Sequence, residues 1–215
     1  MTYTVKVLCK TIFLKEQMFD KILKFEQELS KFTGAPYVIM TDCCTHAIEL
    51  CLRYEGVTEC SFTPYTYLSV PMTMHKLGIR YQYHEHEWQR WIGEYPFVGT
   101  RIWDSARRLE KDMYRAGTMQ CLSFGHSKPL HIGRGGAILL DDPVAYHEIL
   151  LQRYDGRDLD ISPWQQQQTF RVGYHYRPTP EEAELGSALL QGIREDPSEP
   201  RFVEYPDLRK IKIID

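Results

Sequence analysis

Alternation is the feature that most restricts what this chain can fold into: short apolar runs, each followed by a turn or a stretch with helical spacing. The runs are PYVIM (36–40), ECSF (59–62), IRYQYH (79–84), PFVGTRIWD (96–104), TMQCLSF (118–124) and GGAILLD (135–141). Strands that alternate with helices cannot all pair as hairpins, so they form a largely parallel sheet that buries both faces under helices. The expected class is therefore α/β, a three-layer sandwich with a mostly parallel mixed sheet.

The helical stretches carry their own stop signals. Residues 14–33 place Phe19, Ile22, Leu23, Phe25 and Leu29 at helical spacing, and Gly34 follows where a left-handed cap would sit. Residues 41–56 put Ala47, Ile48, Cys51 and Leu52 on one face, with Gly56 as the stop. PVAYHEILLQRYDG (143–156) also reads as helical. In TPEEAELGSALLQGI (179–193), Thr179 is a plausible N-cap with Glu182 three residues on.

Length and charge exclude several classes. A chain of 215 residues suits one substantial domain with a small appendage. A net charge of -3 from interspersed charges gives no basic stripe for binding nucleic acid. No apolar run is long enough to span a membrane, and the start lacks the order of a secretory signal, so a cytoplasmic protein is expected. The six cysteines form no C-x-x-C pair, which fits reduced, mostly buried thiols.

In open sheets of this kind ligands bind beyond the carboxyl ends of the strands, and three such ends carry chemistry. MTDCCTHA (40–47) opens a helix: its backbone N–H groups and Thr45 can cradle a phosphate, or Asp42 or Thr45 can simply cap the helix. Asp104 ends an apolar strand, either as a cap or as a carboxylate facing a pocket. Lys128, beside His126 in LSFGHSK (122–128), is either a solvated turn lysine or an amine held for covalent chemistry. GRGG (133–136) lacks the spacing of a dinucleotide fingerprint and suits a tight turn. His84 and His86 share a strand face but lack a partner cluster, which favours an exposed strand end over a metal site.

Taken in order, these segments resemble the DegT/DnrJ/EryC1/StrS family of pyridoxal-phosphate-dependent sugar aminotransferases, which have the aspartate-aminotransferase fold. FEQELSKFTGAPYVIMTDCCTHAIELCL is similar to the family's opening, with Cys43, Cys44 and Thr45 in the place of its Ser-Gly-Thr turn. FTPYTYLS is similar to its Pro-x-x-Thr-aromatic segment, and IWDSARRL stands where it has Asp-x-Ala-Gln. LSFGHSK is similar to Ser-Phe-x-x-x-Lys, GRGGAILL to Gly-Glu-Gly-Gly and its strand, and VGYHYR to Gly-Tyr-Asn-Tyr-Arg.

The resemblance implies pyridoxal 5'-phosphate as cofactor. It implies Lys128 as the lysine that carries it, Asp104 as the partner of its ring nitrogen and Tyr67 as the aromatic on its ring. Cys44, Thr45, Ser123 and His175 would bind its phosphate, with Arg107 beside it. Cys44 stands in place of glycine, Arg107 of glutamine and His175 of asparagine. The implied reaction moves an amino group, with glutamate as donor, to a keto-sugar that is nucleotide-linked in relatives. The implied assembly is a homodimer whose 173–177 loop reaches the neighbouring cofactor. It further implies residues 1–193 as the cofactor-binding domain, residues 194–215 as a tail, and a chain expected to stop where relatives continue into a C-terminal domain. Two other readings stay open: a truncated binding or scaffold homologue, and a sugar dehydratase, since dehydratase relatives carry histidine in place of the lysine.

Overall fold

The structure is a computed structural model that describes residues 20–84, 93–161, 163–193 and 205–213. Phe19, His86 and the start of the first amphipathic stretch lie outside the described residues.

Among the described residues seven strands form two sheets. β1 (Tyr37–Thr41), β4 (Tyr95–Pro96), β5 (Ile102–Asp104), β6 (Met119–Ser123) and β7 (Gly136–Leu140) make a sheet in the order β1-β7-β6-β5-β4. β2 (Glu59–Phe62) and β3 (Arg80–Tyr83) form a parallel pair. Backbone bonds between Ser61 and Val98 join that pair antiparallel to the end of the β4 segment. β5 and β6 are parallel, whereas β7 is antiparallel to both of its neighbours. Thus β1, β2, β3, β5 and β6 point one way, and β4 and β7 run against them.

The run PFVGTRIWD is not one strand. Phe97 and Ile102 close a tight hairpin in which the Phe97 carbonyl accepts from the Thr100 N–H (3.1 Å) and Gly99 adopts φ 92°. That turn places β4 antiparallel beside β5, with Tyr95 opposite Asp104. The connection is too short for a crossover, which a parallel neighbour would need.

Alternation along the strands divides the core into two layers. Ile39, Cys121, Ile138 and Leu140 face α2 (Cys44–Tyr54), α3 (Ser69–Leu77) and α4 (Pro143–Arg153). Val38, Met40, Leu122, Ala137 and Leu139 face α1 (residues 20–33) and α5 (Pro180–Leu190). The three-layer α/β expectation holds. Each fully buried Leu, Ile or Phe contributes roughly 1.5–3 kcal/mol, so the two layers supply the main driving force.

Helix ends follow the local signals. Gly34 and Gly56 are left-handed, and Thr179 with Glu182 forms a reciprocal capping box on α5. Leu23, expected on the apolar face of α1, is instead exposed, because α5 covers only the side that carries Ile22, Phe25 and Leu29.

Candidate active site

The ends of β1, β5 and β6 and the start of β7 open on a cavity of about 540 Å³. Cys44, Thr45, Tyr67, Asp104, Arg107, Ser123 and Lys128 all line it. His175 does not. Its segment is extended, so Tyr174 and Tyr176 stack inward against the α2 layer while His175 points out and pairs with Asp155 at 3.0 Å.

One end of the cavity is the N-terminus of α2. The side chain of its N-cap, Cys43, caps none of the helix's backbone N–H groups. Neither expected cap serves: Asp42 accepts from Arg134 (2.7 Å) and pairs with His46 (2.6 Å), and Thr45 donates to the Ser69 hydroxyl (2.8 Å). The first-turn N–H groups therefore have no side-chain cap, which is the arrangement that suits a bound anion. The Cys44 thiol turns inward towards the Cys121 carbonyl (3.7 Å), and burial pushes its pKa up, so it stays a neutral core group. The glycine turn is packed against the same end. Gly135 has φ 124°, and a Cβ on Gly136 would lie 2.5 Å from the Cys44 nitrogen. Only glycine allows β7 to start that close to the helix.

Asp42, Cys43 and His46 bring three donor atoms within 4.8 Å of one another. Both oxygens of Asp42 are already taken by cations, so the group is a closed ion cluster. Burial opposes the charge on His46, but Asp42 and Cys43 outweigh it and raise its pKa to about 9. The His46 ring stacks on Tyr176 at 3.6 Å, and the Tyr176 carbonyl accepts from the Asp42 N–H. The 173–177 segment is thereby clamped to the mouth of α2.

The middle of the cavity holds Asp104, only 6% exposed. One of its oxygens accepts from the Ala106 N–H (2.9 Å), the other from the Tyr95 hydroxyl (2.7 Å). Burial raises its pKa, opposed by Tyr95, the Ala106 N–H and the nearby Lys128 ammonium. Beside it Glu94, 1% exposed, is held by Arg108 and Arg115 and accepts from Ser105 (2.8 Å) and Gln120 (3.2 Å).

Lys128 is half-buried and also lines the cavity. It sits in an excursion between β6 and β7 whose neck is closed by bonds from Phe124 N–H to Gly135 O (2.9 Å) and Gly133 N–H to Phe124 O (3.0 Å). Buried Phe124 and Leu130 anchor that loop. Tyr67, 63% exposed, offers an aromatic face at the mouth. Sequence reading missed Tyr95, Glu94 and Arg134 on the wall, and also Tyr205. Tyr205 reaches the cavity because Leu208 is buried and its N–H donates to the Pro64 carbonyl (3.1 Å).

Comparison with known proteins decides what this arrangement belongs to. The family model of the DegT/DnrJ/EryC1/StrS aminotransferase family matches residues 10–92 and 105–201. The chain belongs to this family. Residues 93–104, which fall between the two matched segments, hold the β4–β5 hairpin.

Solved structures share the fold at low identity. A 3-amino-5-hydroxybenzoic acid synthase is 20% identical with a TM-score of 0.68, covering 81% of this chain and 56% of that one. GDP-4-keto-6-deoxymannose-3-dehydratase is 15% identical with a TM-score of 0.69, covering 82% and 61%. A family aminotransferase from Brucella abortus is 15% identical with a TM-score of 0.67, covering 80% and 58%. The chain thus spans less than two thirds of the length of each of these relatives. No curated protein matches it. Among the described residues no helix is long and apolar enough to cross a membrane.

DegT/DnrJ/EryC1/StrS aminotransferases depend on pyridoxal 5'-phosphate, and the donor set here fits that group. The cavity is lined by an uncapped helix N-terminus with hydroxyls, a buried carboxylate, a primary amine and an exposed aromatic.

Proposed function

We propose that the chain is a pyridoxal-phosphate-dependent aminotransferase acting on a keto-sugar, with glutamate as amino donor. One observation carries the reading: Lys128 and Asp104 face a single cavity, close enough for the ammonium to act on the carboxyl. Pyridoxal 5'-phosphate, when bound, supplies an electron sink for breaking a bond at the amino-bearing carbon.

The chain's own residues supply the rest. The α2 amides, Thr45 and Ser123 bind phosphate, and the thiol of Cys44, turned into the core, leaves the helix backbone open to it. Asp104 would hold a proton at the ring nitrogen. Lys128 would be the residue that holds the cofactor, and its Nζ would be the group that carries a proton. Arg107 and Arg134 add positive charge to a wall that meets anionic substrates. Residues 1–193 make up the cofactor-binding domain in this reading.

A second copy of the chain completes the site in this proposal. Tyr67, Leu68 and Met72 are exposed beside the mouth, and His175 faces outward, where it can serve a neighbour's cofactor. Light scattering that gives only a monomer at micromolar concentration overturns this part.

Purified protein mixed with the cofactor is expected to gain a visible absorbance band that is absent in Lys128→Ala. Borohydride is expected to fix the cofactor to the tryptic peptide containing Lys128. Added glutamate is expected to convert the band to that of the aminated cofactor. A band without conversion favours the binding-only homologue, and no band removes the cofactor. His126 on the cavity wall and the dehydratase neighbour keep one rival reaction in view, which loss of a sugar hydroxyl without amine uptake would identify.

A further inference from the structure

We propose that Tyr95, backed by Thr66, is a positioning residue for Asp104: it weakens the carboxylate as a base and so keeps the proton they share on the ring nitrogen of the cofactor. The cofactor half of this inference rests on the function proposed above.

Hydrogen counting fixes the direction of the relay. Tyr95 has one hydroxyl proton, and the Asp104 oxygen 2.7 Å away can only accept when ionised. The contact between Thr66 and Tyr95 therefore runs from the Thr66 hydroxyl to the Tyr95 oxygen. Thr66 is 2% exposed, Asp104 6% and Tyr95 8%, so bulk water has little access to either bond. The hairpin makes the arrangement possible: Tyr95 and Asp104 are directly opposed in register and project from the same face of the sheet.

Neutral donors suit this task better than a cation. A guanidinium on Asp104 would cancel its charge and remove the pull on a pyridinium. A phenol lowers the basicity of the carboxylate and leaves its charge in place. The groups around Asp104 are consistent with this. Lys128 lines the same cavity within electrostatic reach, the Cys44 thiol approaches from α2 and Cys121 from β6, and Glu94 stands before β4. Lys128 is the cation among them, and it is the group consumed when the cofactor is held covalently. Tyr95 and the Ala106 N–H then remain as the protein's donors to the carboxylate. With the phenol in place, the O–H bond of a protonated Asp104 breaks and an N–H bond forms on the ring. Without it, the proton returns to the carboxylate oxygen.

The test uses Tyr95→Phe, which deletes a single oxygen, and Thr66→Val, which keeps the shape of the outer donor. The apoprotein is labelled at the aspartate carboxyl carbon, and the Asp104 resonance, assigned with Asp104→Asn, is titrated by NMR. Tyr95→Phe is expected to raise the proton affinity of Asp104 roughly tenfold or more, and Thr66→Val by a few-fold in the same direction. In the holoprotein, ¹⁵N-labelled cofactor is expected to show its ring nitrogen shifted towards the unprotonated position in Tyr95→Phe. An unchanged Asp104 titration in both variants overturns the inference, as does an unmoved ring nitrogen in a Tyr95→Phe protein that binds the cofactor. A wild type that binds no cofactor overturns the proposed function instead, and the carboxyl titration still decides the relay. If Tyr95→Phe does not fold, Thr66→Val decides alone.

Discussion

Two carboxylates in this molecule are almost equally buried and are treated in opposite ways. Glu26, 5% exposed on α1, accepts from Arg153 at 2.6 Å and from the Met40 N–H at 2.8 Å, and Arg153 also donates to the Met40 carbonyl. Asp104, 6% exposed, receives a phenol and a backbone N–H as its donors among the described residues and looks into a cavity. Burial raises the pKa of both. For Glu26 a guanidinium answers the charge, so the pair is a strut between α1, the edge strand β1 and α4. For Asp104 no guanidinium does among the described residues, and the carboxylate is left with pull to spend on a ligand. Glu94, next to it and gripped by Arg108 and Arg115, is a strut like Glu26. A buried acid without a guanidinium thus marks chemistry more sharply than burial alone.

The comparison breaks most directly at Asp104. Asp104→Asn is expected to lower amino transfer by about 1000-fold, a loss of the order seen when a preorganised electrostatic partner is removed. Its melting temperature is expected to stay the same or rise, because a desolvated charge has gone. The sign follows from the raised pKa: the folded state holds its proton above pH 3.8, where the unfolded chain releases it, so ionised Asp104 costs stability as pH rises through its folded pKa. Activity and thermal melts measured side by side check this, and a large fall in melting temperature would make Asp104 another strut.

Arg153→Met is expected to do the reverse, costing roughly 3–5 kcal/mol by stranding Glu26, or about 10 °C in melting temperature. The double variant Glu26→Leu with Arg153→Met is expected to recover most of that loss, since an apolar pair of similar volume replaces two desolvated ions. Calorimetry of the three proteins reads the coupling.

The same contrast explains what could be read in the sequence. The places of Lys128, Ser123, Thr45 and Asp104 on the cavity wall were legible because Ser123 and Asp104 end strands and Thr45 and Lys128 follow strand ends within five residues, which is local in sequence. Gly34, Gly56 and the Thr179–Glu182 box were legible for the same reason. The partners were not. Tyr95 and Thr66 are 29 residues apart, and Glu26 and Arg153 are 127 apart, so only the folded sheet brings them together. The hairpin was hidden because Val98, Gly99 and Thr100 interrupt an apolar run without changing its character. The inward turn of Cys44 and the outward turn of His175 depend on packing and on a two-residue period, which a motif does not specify.

Asp42 supplies an intermediate case, and it sharpens the comparison through pH. It is paired with a permanent cation, Arg134, and with one that titrates, His46. Burial works against its ionised form, but His46 and Arg134 prevail and hold its carboxyl below the usual 3.8. Its stabilisation is therefore present above pH 3.8 and lost as pH falls through the lower folded value. The imidazole acts at the other end of the scale. With its pKa lifted from 6.5 to about 9, the folded state keeps a proton that the unfolded chain gives up, so stability is full below pH 6.5 and declines towards pH 9. Because the cluster sits at the partly solvated mouth of α2, the change is expected to be about 1 kcal/mol, a few degrees in melting temperature. His46→Gln keeps the ring's approximate length without its charge, and its melting temperature is expected to lose that part of the slope between pH 6.5 and 9. A slope that survives the substitution would put the titrating group elsewhere and leave Asp42 as one more strut, held by Arg134 alone.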